Sequence, residues 1–269
     1  MNIIKSTARY PDDVFRPIGR LVIAQAAASE SPRIREQCAK LQALRPLLKM
    51  IMEIRSNSQN NQDLWVIQLF SGKRDGYFFE IGGGDGLWIS NTLVLERDFG
   101  WTGILVEPTS AYAKLVRNRP GSICDDSCIA SEEKDVTLFE IFDRGQAGIS
   151  ELARDNSLLS AVRDDLTEAE GGQTNSYWGE FRHAVKKKAY PLQTVLAKHG
   201  APAVIDYFSL DVEGYEYEVF RNFPFSDYKF RCIGVERPPV QLHQLLIANG
   251  YVGRVQLGED VMYTHRTEF

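Results

Sequence analysis

Five acidic residues stand at or near the ends of apolar runs, and they carry most of the chemistry this sequence can offer. Glu80 precedes Ile81-Gly82-Gly83-Gly84-Asp85-Gly86. Glu107 closes Gly103–Glu107 and is followed by Pro108. Asp211 and Glu213 lie in Ser209-Leu210-Asp211-Val212-Glu213-Gly214, and Glu236 ends Phe230–Glu236. A chain that leaves a strand on glycines lets its backbone approach a ligand, because no Cβ stands in the way. In doubly wound sheets ligands sit beyond the carboxyl ends of the strands, where these acids would gather.

Two ligand classes compete for the glycine turn. A dinucleotide site requires G-x-G-x-x-G, with the pyrophosphate on a helix N-terminus. Counted from Gly82, the last required glycine is replaced by Leu87. Glu80 and Asp85 would also repel a pyrophosphate. S-adenosylmethionine carries an ammonium and a sulfonium, which nearby carboxylates attract. Glu80 is therefore expected to reach toward the amino acid part of that cofactor. Glu107 is placed to accept both ribose hydroxyls, a device that NAD sites share, so an NAD(P)-dependent oxidoreductase stays open. Asp126, in Asp125-Asp126-Ser127-Cys128, is expected beside the adenine, with Ser127 next to it.

Asp211 and Glu213 could act as general base, orient a hydroxyl or ligate a metal. Glu236 should point to the same rim, and His243 follows on the next helix. Together, Asp211 and Glu236 could hold Mg²⁺, which would lower the pKa of an acceptor hydroxyl.

These residues need a scaffold of alternating strands and helices. Strands are expected at Tyr77–Ile81, Gly103–Glu107, Ser122–Cys124, Val204–Asp211 and Phe230–Glu236. Helices are expected at Leu87–Leu95, Ser110–Asn118, Tyr215–Asn222 and Val240–Ala248. Such alternation implies a parallel sheet covered on both faces. Val252–Leu257 and Val261–Thr264 read as a closing strand pair of unreadable direction. Residues 1–57 read as a helical extension with a Leu/Ile stripe from Leu41 to Ile54, suited to a lid or a homo-oligomer surface or simply packed on the main domain. The methyltransferase-like part then runs over 58–269. A polar segment near 143–188 breaks the rhythm and is expected to be either a substrate cover or a mobile loop.

Composition narrows the partners. Net charge is −5, and Lys186-Lys187-Lys188, read as a solvated helix end or loop, is the only basic run, so nucleic acid is not expected. The four cysteines have no CxxC spacing, which disfavours a zinc site. No apolar run is long enough to span a membrane, and Met1–Phe15 lack a signal peptide's apolar core, so a cytoplasmic address is expected.

The pieces together resemble the FkbM family of S-adenosylmethionine-dependent methyltransferases. They are SQNNQD (Ser58–Asp63), GYFFEIGGGDG (Gly76–Gly86), SNTLVLE (Ser90–Glu96), GWTGILVEP (Gly100–Pro108), IDYFSLDVEGYEYEVF (Ile205–Phe220) and IGVE (Ile233–Glu236). The resemblance implies a class I methyltransferase (Rossmann-like) fold: a seven-stranded, mostly parallel sheet with one antiparallel strand and helices on both faces. It implies methyl transfer to a hydroxyl of a sugar, polyketide or other small-molecule or glycan acceptor. By position it puts Glu80, Gly82 and Gly84 at the cofactor turn, Glu107 at the ribose and Asp126 at the adenine. It also sets Gln59 and Asp63 in a motif that closes over the cofactor, and Asp211 and Glu213 in an acidic motif facing the acceptor. Many relatives have alanine and asparagine where Gly83 and Gly84 stand. A non-catalytic binding module on the same fold is the remaining alternative.

Overall fold

The computed structural model describes residues 54–141, 162–163, 181–212 and 214–268. The chain divides into two compact units, 1–55 and 56–269, and the described residues belong almost wholly to the second. The expected N-terminal helices with their oligomer surface, Glu213, and most of the 143–188 segment lie outside the described residues.

The main sheet has seven strands: β1 (Tyr77–Ile81), β2 (Thr102–Val106), β3 (Ile123–Asp125), β8 (Val204–Leu210), β9 (Lys229–Glu236), β10 (Tyr251–Leu257) and β11 (Asp260–His265). Their order is β10-β11-β9-β8-β1-β2-β3. Neighbours from β9 to β3 are parallel, and β11 runs antiparallel to both β9 and β10. The mostly parallel sheet with one antiparallel strand is therefore present. The direction of the closing pair, unreadable in sequence, is antiparallel.

Six helices are described: α1 (Gln62–Leu69), α2 (Leu93–Phe99), α3 (Tyr112–Asn118), α4 (Leu192–Lys198), α5 (Glu216–Phe220) and α6 (Val240–Ala248). Strand side chains alternate between faces. Phe79 and Ile81 of β1 join one core cluster with Leu192, Val195 and Leu196 of α4, Val219 and Phe220 of α5, and Leu242 and Leu246 of α6. Phe78 faces the other way, where the Arg119 guanidinium lies 5.6 Å from its ring centre. Covering helices on both sides explain why β1 and β2 read as unbroken apolar runs.

Beside this sheet stands a second one of four strands, β4 (Cys128–Ala130), β7 (Phe181–Pro191), β5 (Lys134–Ile141) and the two-residue β6 (Val162–Arg163), in that order. It corrects one expectation. Lys186-Lys187-Lys188 is neither a loop nor a helix end but part of β7, paired antiparallel with β5 at Val136↔Lys187. Lysine is depleted in strands, so its own propensity hides a strand that pairing with β5 creates.

A second correction concerns the expected helix at Leu87–Leu95. The helix starts only at Leu93. Asp85 Oδ1 takes the amides of Leu87 (2.9 Å) and Trp88 (2.8 Å), and Glu80 takes that of Asn91 (3.0 Å). Ile89 has φ +48°, which helical geometry forbids. Side-chain acceptors thus occupy the backbone donors that a helix would have used.

Candidate functional site

The glycine turn follows β1, and each glycine has its own reason. Gly82 has φ +87°, and a Cβ there would lie 2.2 Å from the Asp211 carbonyl oxygen, so the ends of β1 and β8 can meet only over glycine. A Cβ on Gly86, φ +80°, would lie 2.7 Å from Leu115 and Arg119 side-chain carbons. Gly84, φ +52°, has open space where a Cβ would go. Its amide donates to Glu107 Oε2 at 2.7 Å. Glu107 Oε1 takes the Thr109 amide at 2.9 Å, and the residue is buried at the end of β2. The turn and the second-strand acid therefore form one unit.

Glu80 is buried, and its carboxylate is held by Ser90 Oγ (3.1 Å), the Asn91 amide (3.0 Å) and Thr92 Oγ1. Behind them the buried Arg119 donates to Ser90 Oγ (3.0 Å) and Thr92 Oγ1 (3.1 Å) and pairs with Glu96 at 2.6 Å. Glu80 thus lines the site while fixing the loop at 90–92. Asp63 does similar work beneath the SQNNQD motif. Wholly buried, it accepts from Ser56 Oγ (2.5 Å), Ser58 Oγ (2.8 Å) and the amides of Asn57 (2.7 Å) and Leu64 (2.7 Å). It shapes the segment that presents Gln59 and Gln62.

A shallow, solvent-open cleft lies over the strand ends. Acids line it from four strands or their ends: Glu80, Asp211, Glu236 and Asp260. Gln59, Gln62, Ser90, Asn91 and Ser209 supply neutral polar groups, and Trp88 and Ile89 form an apolar wall. Asn91 donates to Ser209 Oγ at 2.9 Å, while its buried Oδ1 has no partner. Leu87, Trp88 and Ile89 are 44%, 67% and 37% exposed, although the backbone beneath them is tied down by Asp85 and Asn57.

Asp260 was not anticipated. It begins β11 opposite Glu236 and is only 8% exposed. Gln62 Nε2 donates to its Oδ2. Burial, then the charges of Glu236 and Glu259, push its carboxyl up to about 6 against the pull of Gln62 and Arg237. The sequence signal was faint: an antiparallel strand brings its first residue to the rim, and strand direction was unknown.

The remaining expected residues lie apart from this cleft. Asp126 is exposed and pairs with Lys187 at 3.0 Å. Its neighbour Asp125 is the buried acid. Burial raises its carboxyl, but Lys198 (2.7 Å), the Ser127 amide (2.8 Å) and His199 (2.6 Å) outweigh that and hold it well below the usual range. Ser127 thus serves Asp125 through its backbone. His243 is an exposed residue of α6 whose Nδ1 lies 3.0 Å from Tyr263 Oη.

The expected Mg²⁺ finds no support among the described residues. Among the described residues, no group of three or more His, Cys, Asp or Glu side chains is placed to hold a metal ion. Glu80 is committed to the loop at 90–92, and Glu236 lies 3.6 Å from Arg237. Nor is any helix among the described residues long and apolar enough to cross a membrane.

A parallel sheet with one reversed strand, a glycine turn bound to a second-strand acid, and an acidic cleft over the strand ends define a cofactor-binding α/β domain. The family model of the methyltransferase FkbM domain matches residues 80–248, and the chain belongs to that family. It is accordingly a methyltransferase domain, with S-adenosylmethionine the methyl donor that the family implies. A search of curated proteins finds no significant match. Among solved structures, the METTL16 MTase domain is similar at 11% identity and TM-score 0.38, over 75% of this chain. The match spans 65% of that domain's own length. A Pyrococcus horikoshii protein described as an RNA methyltransferase is similar at 10% identity and TM-score 0.33, over 82% of this chain and 96% of its own.

Proposed function

We propose that this protein transfers a methyl group from S-adenosylmethionine to a hydroxyl oxygen of an uncharged acceptor, such as a sugar or polyketide. The observation that carries this is the lining of the cleft, which among the described residues has four acids and five neutral polar residues, with no Lys, Arg or His, beside an exposed tryptophan. Acids favour a cationic donor and accept hydrogen bonds from hydroxyls. They would repel phosphate groups, which speaks against nucleic acid. The broad face of Trp88 suits a sugar or polyketide ring.

The residues fit the donor. Asn91 Oδ1, buried without a partner, is an acceptor suited to an ammonium. Glu107, fixed by two backbone amides at the end of β2, stands where a carboxylate would meet ribose hydroxyls. The open side of Gly84 leaves room beside the turn. When bound, the cofactor supplies an electrophilic methyl on sulfur. The protein's part is to align the acceptor and keep water out.

The test is calorimetry of the pure protein with S-adenosylmethionine and S-adenosylhomocysteine, followed by methyl transfer to a panel of methyl glycosides and polyketides. Uptake of both, with turnover on a hydroxyl acceptor, is expected. No uptake of either would sink the proposal. Binding without transfer to any hydroxyl would instead mark a non-catalytic module.

A further inference from the structure

The cleft contains acids of two kinds. Glu80 has its carboxylate held by Ser90, Asn91 and Thr92, and Glu236 lies 3.6 Å from Arg237. Asp211 sits at the junction with the glycine turn, its amide donating to the Ile81 carbonyl at 3.2 Å and its own carbonyl packed over Gly82. Asp260 differs from all three. Like Glu80 it is more than nine-tenths buried while lining the cleft, but where three groups hold Glu80, Gln62 alone holds Asp260, through one oxygen. Its other oxygen has no protein partner among the described residues and remains for a ligand.

We propose that Asp260 is the general base of the methyl transfer, oriented by Gln62 and receiving the proton of the acceptor hydroxyl. The inference rests on the proposed O-methyl transfer. In the step, the acceptor oxygen forms a bond to the methyl carbon as the carbon–sulfur bond breaks. The bonding pair goes to sulfur, leaving a neutral thioether. The hydroxyl proton passes to the Asp260 carboxylate and from there to water after product leaves.

Three features suit Asp260 to this work. A base needs a second group that fixes its orientation, and Gln62 of α1 does so from across the cleft. It needs an environment that raises its basicity, which burial supplies together with Glu236 on β9 and Glu259 in the preceding turn. Arg237, which pairs with both Glu236 and Glu259, moderates that effect but does not reverse it. Finally, a carboxyl near 6 is mostly ionised at neutral pH yet strong enough as a base to matter. Glu80 and Asp211 complete the charged groups that face the same cleft.

The test uses the full chain and three readouts. Asp260→Asn should leave S-adenosylhomocysteine affinity within about threefold and lower kcat on the best hydroxyl acceptor by about 100-fold or more. It should also abolish the acidic limb of the kcat–pH profile, which Asp211→Asn should retain. In the free protein, ¹³C NMR should show one carboxyl titrating near 6, absent in Asp260→Asn and shifted down by S-adenosylmethionine but not by S-adenosylhomocysteine. An Asp260→Asn enzyme with wild-type kcat and its acidic limb intact would overturn the assignment. So would an Asp260 carboxyl that titrates near 4 and ignores the sulfonium, a result that needs no acceptor. Failure of the underlying reading looks different, since the wild-type protein would then take up no cofactor.

Discussion

The two sides of the strand-end rim are built in opposite ways. On the β1–β2 side, the glycine turn and Glu107 lie within 28 residues of one another, Glu80 to Glu107, and are joined mainly through backbone. Gly82 packs on the Asp211 carbonyl, Gly84 donates to Glu107, and Gly86 leaves room for Arg119 and Leu115. On the β8–β9–β11 side, side chains do the work, drawn from places far apart in the chain: Gln62, Asp211, Glu236 and Asp260. The first side is held by backbone contacts that a side chain would break. The second can exchange side chains without disturbing the fold, which is where an enzyme family can vary its acceptors.

The sharpest way to break this contrast is Gly82→Ala. The new methyl would need to occupy space 2.2 Å from a carbonyl oxygen, at a φ of +87°. The cost should be at least about 3 kcal/mol, combining overpacking with backbone strain. Denaturant unfolding should show either a large loss of midpoint or no folded protein. A variant of near wild-type stability would mean that the ends of β1 and β8 are not locked together.

The acceptor side should respond in the other direction. The Asp260 carboxyl ordinarily titrates near 3.8 and is raised to about 6 in the fold. Only well below 3.8 is the carboxyl protonated whether the chain is folded or not, and there it favours neither state. As pH rises from 3.8 through 6 the unfolded chain gives up the proton before the folded one does, so stability falls across that window and the loss is complete above it. At pH 8 that penalty should be about 1–3 kcal/mol. Asp260→Asn should therefore unfold at higher denaturant than wild type at pH 8, with the difference shrinking toward pH 4 and vanishing by about pH 3. A variant that loses turnover while gaining stability would be the mark of a functional residue. Equal stability at both pH values would mean the charge is well solvated.

The contrast also decides what the sequence could reveal. The β1–β2 side was legible because its logic is local: a strand, a glycine turn and the next strand-end acid follow one another in the chain. Even there a long-range part is hidden: Gly82 lines the cleft and also packs on Asp211, a partner 129 residues away. The delayed start of α2 was hidden because Asp85 and Glu80 compete for its amides only once the turn is folded. Asp260 was hidden for a topological reason. Parallel strands deliver their last residues to the rim, and that rule found Glu80, Glu107, Asp211 and Glu236. The reversed β11 delivers its first, in register with Glu236. β7 was missed because its lysines argue against a strand on propensity alone.

Gly84→Ala tests the local side more gently. No atom lies within 4 Å of the added methyl, so only the positive φ of +52° resists it. The expected loss is about 1–2 kcal/mol. The same methyl would point into the space reserved here for the cofactor, so S-adenosylhomocysteine affinity should fall more than stability does. Calorimetry and unfolding on the same preparation separate the two. If stability falls as far as in Gly82→Ala, then the glycines are not divided between packing and ligand.

The smallest effect on the fold, and the most specific one on function, should come from Trp88→Ala. Trp88 is 67% exposed, and its amide, not its ring, is bound to Asp85. Stability should change by no more than about 0.5 kcal/mol. If the ring is the apolar wall against which an acceptor lies, the acceptor KM should rise about tenfold, with kcat and S-adenosylhomocysteine affinity nearly unchanged. Quenching of tryptophan fluorescence by the acceptor should disappear in the same variant. The loop makes this separation possible: Asp85 and Asn57 hold its backbone while Leu87, Trp88 and Ile89 stand in solvent. A change in cofactor affinity without a change in acceptor KM would move Trp88 from the acceptor side of the rim to the cofactor side.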